Sequence, residues 1–137
     1  MRRMWRLALT LALVLLGGAA SAQETLRSYD AAGRATGRQE SRGGTTRFYD
    51  SAGRGTGRAE TRDGTTRFYD QSGRSTGRAE GSRFYGPAGR STGRAERQGG
   101  ATRFYDSAGR GTGRAETRGD TTRFYDSSGR RTGEARR

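Results

Sequence analysis

The chain has no cysteine, no histidine and a single proline, and every one of its 27 basic residues is arginine rather than lysine. The missing cysteines exclude a disulfide framework and a thiol nucleophile. The missing histidines remove the commonest general base and with it a Ser-His-Asp triad. Aliphatic residues are almost as scarce, since beyond residue 22 the only one larger than alanine is Leu26. Any core must therefore be built from five Phe and six Tyr. Burying a Phe contributes roughly 1.5 to 3 kcal/mol, whereas ordering each residue's backbone costs on the order of 1 to 2 kcal/mol. Low aliphatic content with high net charge is shared with unfolded chains. The regular placement of the aromatics argues instead for a folded repeat.

What the chain does have is a twenty-residue unit, plainest as Phe-Tyr-Asp-x-x-Gly-Arg-x-Thr-Gly-Arg-Ala-Glu, with Tyr29, Tyr49, Tyr69, Tyr85, Tyr105 and Tyr125 marking six copies. A fixed period of this size signals a repeat architecture, in which each unit buries its apolar face only against its neighbours. The structural aromatics are then Phe48, Tyr49, Phe68, Tyr69, Phe84, Tyr85, Phe104, Tyr105, Phe124 and Tyr125. Residues 1–22 are of another kind: Arg2, Arg3 and Arg6, an apolar run from Leu7 to Leu16, and the small-residue site Ala20-Ser21-Ala22. These are the three parts of a secretory signal peptide, with cleavage expected after Ala22 and export to the periplasm or the medium of a bacterium. The repeat domain, residues 23–137, carries 24 arginines against 14 acidic residues, or +10.

Within a unit, Thr45-Thr46-Arg47-Phe48-Tyr49 has the composition of a strand. Asp50 to Arg54 reads as a three-residue hairpin loop in which Gly53 supplies the left-handed position of a type I turn plus bulge. Asp50 opposite Arg54 sets Tyr49 against Gly55, Phe48 against Thr56 and Arg47 against Gly57. Alternation then predicts one face with Tyr49 among Gly55, Gly57 and Ala59, and another with Phe48 among arginine stems. Arg47 is expected over the Tyr49 ring as a cation-π pair. The fourth unit is four residues shorter, with only Glu80-Gly81-Ser82 between Ala79 and Arg83. An even deletion trims two residues from each strand and preserves facing. Pro87 falls in that unit's turn, where its missing N–H harms no ladder. The end units read as caps: Ser28 replaces Phe in the first, and in the last Glu134-Ala135-Arg136 exchanges the two charges of Arg-Ala-Glu. A structural ion pair tolerates that exchange, which weighs against Arg38, Arg58, Arg78, Arg94 and Arg114 as a ligand ring.

Tyr-Asp-x-x-Gly-Arg, present at Tyr49, Tyr69, Tyr105 and Tyr125, resembles the YD repeat of RHS and teneurin proteins. Those proteins usually carry a bulky residue after Gly-Arg, where this chain has Ala35, Gly55, Ser75, Ser91, Gly111 or Arg131. Over residues 25–137 the chain is more similar to the β-flower proteins, exported chains of tandem hairpins set as petals around an axis. That resemblance implies a symmetric all-β fold of uncharacterised activity. The expected fold is thus all-β, six tandem hairpins in a closed ring that leaves no free strand edge. An open β-solenoid or meander that oligomerises is the alternative.

No enzyme chemistry is expected. Asp50 and Glu60 recur beside arginines, which lower a carboxylate's pKa instead of poising it near neutrality. Neither an EF-hand loop nor a β-roll calcium repeat is present, so no metal and no cofactor is expected. Arginines with aromatics are the ordinary footprint of nucleic-acid binding, but export makes nucleic acid an unfavoured partner. The expected role is a non-enzymatic binding or scaffold module for anionic envelope components, lipid phosphates or acidic glycans. The candidate anion contacts are the turn arginines Arg34, Arg54, Arg74, Arg90, Arg110 and Arg130. The competing role is a structural, self-assembling protein without a small-molecule ligand, a homo-oligomer whose Arg and Glu ladders join subunits; a plainer alternative is that the basic excess serves only solubility.

Overall fold

The computed structural model describes residues 23–137, so the signal-peptide expectation for residues 1–22 lies outside the described residues. Twelve strands follow one another: β1 (Glu24–Asp30), β2 (Ala35–Arg42), β3 (Thr45–Asp50), β4 (Gly55–Arg62), β5 (Thr65–Asp70), β6 (Ser75–Glu80), β7 (Arg83–Tyr85), β8 (Ser91–Gln98), β9 (Ala101–Asp106), β10 (Gly111–Arg118), β11 (Thr121–Asp126) and β12 (Arg131–Arg136). Each pairs antiparallel with its neighbours in sequence, and β1 pairs with β12. The sheet is a closed barrel of six hairpins, which rules out the open solenoid. Closure also changes the meaning of the end units. They are the two sides of a seam, where Ser28 lies opposite Ala135 and Tyr29 opposite Glu134.

The Asp-x-x-Gly-Arg loops form as the sequence predicts and gather at one rim. Asp50 N–H donates to the Arg54 carbonyl at 2.9 Å, Gly53 N–H donates to the Asp50 carbonyl at 3.0 Å, and Gly53 has φ of 80°. The Asp50 carboxylate accepts the N–H groups of Ala52 and Arg54, both at 2.9 Å, so the loop satisfies itself with its own side chain. The opposite rim carries two-residue turns. Asp63 and Gly64 both have positive φ, 51° and 79°. That is the mirror-image turn whose twist suits a hairpin. The turn before a hairpin also extends that hairpin's ladder, as Thr117 N–H on β10 donates to the carbonyl of Gly100, just before β9, at 2.8 Å.

The expected register holds at Tyr49–Gly55 and then slips. Phe48 lies opposite Gly57 and Arg47 opposite Arg58, because Thr56 bulges out unpaired. A one-residue slip moves every later side chain to the other face. The predicted faces are therefore corrected: Phe48, Gly57 and Ala59 share the inner wall, whereas Tyr49 and Arg58 stand outside. Inside, Phe68 lies between Ala59 on one neighbouring strand and Gly77 on the other. This alternation of large and small residues continues through Phe84, Phe104 and Phe124, all buried together with the alanines and Leu26 in one core. Phe48 is half-buried at the edge of that core. The inward glycine has a steric cause, since a Cβ on Gly57 would run into the carbonyl oxygen of Tyr69. The four-residue deletion behaves as predicted. Between the shortened β6 and β7, Ala79 still faces Phe84 and both remain buried.

Candidate functional site: two sets of arginines on the outer wall

In five of the six hairpins the outer wall places two arginines side by side: Arg27 opposite Arg38, Arg47 opposite Arg58, Arg67 opposite Arg78, Arg83 opposite Arg94 and Arg103 opposite Arg114; in the sixth, Arg123 lies opposite Glu134. Like charges directly opposite one another destabilise a sheet. The fold resolves the conflict by turning one member of each pair toward the next hairpin. Arg38 lies with its guanidinium carbon 4.3 Å from the centre of the Tyr49 ring, and its Nε donates to Glu40 at 3.0 Å. Its Nη1 also packs over Gly53, where a side chain on the turn would meet it at 3.8 Å. Arg58 on Tyr69, Arg78 on Tyr85, Arg94 on Tyr105 and Arg114 on Tyr125 repeat the stack at 4.3 to 4.5 Å. These five are half-buried staples between hairpins. The expected pair of Arg47 with Tyr49 is replaced by Arg38 with Tyr49, because the bulge decides which arginine stands beside the ring.

At the seam the charges are exchanged. Glu134, with a side chain 5% exposed, occupies the staple position beneath Arg131 and Arg136. Arg136 takes over the tyrosine, 5.4 Å from the centre of the Tyr29 ring. Arg137 pairs with Glu24 across the same seam.

The other member of each pair is left open. Arg27, Arg47, Arg67, Arg83 and Arg103, together with Arg123, are exposed, and among the described residues none forms an ion pair. They run as a belt around the barrel, one on every odd strand. Adjacent strands lie about 4.8 Å apart, so successive belt arginines are about 10 Å apart across the sheet.

The turn arginines Arg34, Arg54, Arg74, Arg90, Arg110 and Arg130 all reach solvent at the long-loop rim. The loops bring them together as one ring, but five of the six share their turn with an aspartate. Arg110 Nε lies 3.3 Å from Asp106. The Arg110 backbone N–H, as the first cause, holds the Asp106 carboxyl below the ordinary range. In Asp70 and Asp126 the hydroxyls of Ser72 and Ser128 come first, followed by the N–H groups of Arg74 and Arg130.

The three zones of the surface differ in charge. At the long-loop rim seven arginines, Arg131 included, stand against five aspartates, leaving +2. At the opposite rim five arginines stand against Glu24, Asp63 and Asp120, again leaving +2. On the wall between them six staple-type and six belt arginines stand against six glutamates, so +6 of the total +10 lies on the wall. Arg47, Arg67, Arg83, Arg103 and Arg123 each lie opposite a glutamate of the preceding strand. Those glutamates bond to the staple arginines, which leaves the excess to the belt. Sequence reasoning singles out the turn arginines through the Gly-Arg motif and passes over the belt, although its signal is present: an arginine two residues before the tyrosine in all six units. What hides it is the bulge, without which Arg47 reads as the partner of Tyr49.

Neither a protein-family model nor a curated protein matches this chain.

Proposed function

We propose that this protein is an exported, non-enzymatic module that binds anionic components of the cell envelope through repeated, openly presented arginines. The observation that carries this reading is the belt: six exposed guanidinium groups without an ion-pair partner among the described residues. A stable fold does not need them in that state, since the stapled arginines already link the hairpins. The similarity to β-flower proteins is compatible with it, because both describe a closed ring of hairpins. Each carboxylate on the wall stands beside arginine, which favours a charged, unreactive anion over a general acid or base. Exposed arginines attract anions through a field that salt screens. Binding of the purified protein to phosphatidylglycerol vesicles and to polygalacturonate should therefore fall steeply from low to high salt. Retention of neither at low salt would remove this reading and leave self-assembly, which concentration-dependent sedimentation would reveal.

A further inference from the structure

We infer that the partner is a linear acidic polysaccharide that winds around the waist of the barrel, held by Arg27, Arg47, Arg67, Arg83, Arg103 and Arg123. This rests on the anion-binding reading and deepens it. The charge excess lies on a convex wall, whereas each rim holds much less of it. A flat bilayer touches a cylinder along a line and meets one or two belt arginines at a time. A flexible chain with carboxylates at intervals can follow the curve and meet them in succession.

The wall offers more than charge. Where the wall meets the short-turn rim, a hollow of about 620 Å³ is bordered by Gln98, Gly100, Glu116, Thr117, Arg118 and Arg123. Its polar donors and acceptors beside a belt arginine suit a hydroxyl-rich sugar better than an acyl chain. Arginine presents a planar fork that matches a carboxylate in bidentate geometry. One such contact in water is weak. Several in series on one polymer raise the effective concentration of each following contact, so binding strength should grow steeply with chain length.

The test uses the purified protein, polygalacturonate of graded length and phosphatidylglycerol vesicles, read by isothermal calorimetry and co-sedimentation. Long polygalacturonate should bind and its trimer should not. Arg47→Gln, Arg67→Gln and Arg103→Gln combined should weaken the long chain at least tenfold while the melting curve is kept. Arg54→Gln, Arg74→Gln and Arg110→Gln combined should change it less than threefold. The inference is overturned if the trimer binds as well as the polymer, or if the turn set and not the belt set abolishes binding. It is also overturned if vesicles bind and polygalacturonate does not, a result that leaves the anion-binding reading standing. Failure of both probes removes that reading as well.

Discussion

The inner and outer walls of the barrel are written by the same six units, yet they accommodate departures from the unit in different ways. Inside, the first hairpin loses a phenylalanine to Ser28 and gains Gln39 where other units have alanine. The Phe, Ala and buried Thr of other units become Ser28, Gln39 and the larger Leu26, with Gln39 4% exposed between Leu26 and Phe48. A close-packed interior responds to volume, so one change has to be answered by another nearby. Outside, the last hairpin exchanges Glu and Arg at positions 134 and 136 and keeps both the ion pair and the cation over a tyrosine. The inner wall conserves volume and the outer wall conserves pairing. Within the outer wall a second distinction follows, because an arginine beside a tyrosine is structural and its cross-strand partner is open.

The largest effects should come from the inner wall. Phe68→Ala should cost about 3 to 5 kcal/mol in denaturant unfolding. Phe48→Ala should cost less, because this ring is only half-buried beside Gln39. Equal costs for the two would mean that the first hairpin is packed as tightly as the rest. Gly57→Ala places a methyl group against the Tyr69 carbonyl and should cost about 3 kcal/mol. An unchanged midpoint would show that the hairpins stand farther apart than described.

The seam should respond next. Glu134→Gln leaves Arg131 and Arg136 facing each other across a neutral, nearly buried side chain. It should cost about 1 to 3 kcal/mol. Exchanging Glu134→Arg together with Arg136→Glu restores the repeat and should recover most of that loss, as a rule of pairing requires.

The long-loop rim should show the smallest effect, and one that vanishes in acid. Asp70, Asp106 and Asp126 have folded pKa values below the ordinary aspartate range. Their contribution is fully present above about pH 4, the unfolded value, and is lost as pH falls through the depressed folded values. Replacing all three by Asn should lower stability near neutrality, leave it unchanged in strong acid where the parent has already lost the contribution, and so flatten the acid limb of the curve. An acid limb of unaltered slope would place the lost stability in other carboxylates.

Much of the fold is legible in the sequence because turn chemistry is local. Gly53 and Asp50 specify their loop within five residues, and the even deletion before Arg83 marks strands by parity alone. Ring closure follows from the liability of a free edge. The faces were not legible, because the bulge at Thr56 answers to a contact between hairpins, Gly57 against the Tyr69 carbonyl, that no single unit contains. That one slip brings Gly57 and Ala59 to the face of Phe48 and Arg58 to the face of the tyrosines, and the same bulge at Thr36 sets Arg38 rather than Arg47 on Tyr49. The turn arginines were legible as a ring. The belt was not, because an open arginine is recognised only after its stapled neighbour has been found.

The most direct measurement compares the thermal melts of two triple variants of equal charge change, Arg58→Gln with Arg78→Gln and Arg114→Gln, and Arg47→Gln with Arg67→Gln and Arg103→Gln. Each lost staple removes a cation-π contact of about 0.5 to 1 kcal/mol together with an exposed ion pair. The first variant should therefore melt well below the parent protein, and the second at or slightly above it as repulsion between opposed arginines is relieved. Equal melting of the two, or a lower melting temperature for the second, would contradict the division of the outer wall into stapled and open arginines.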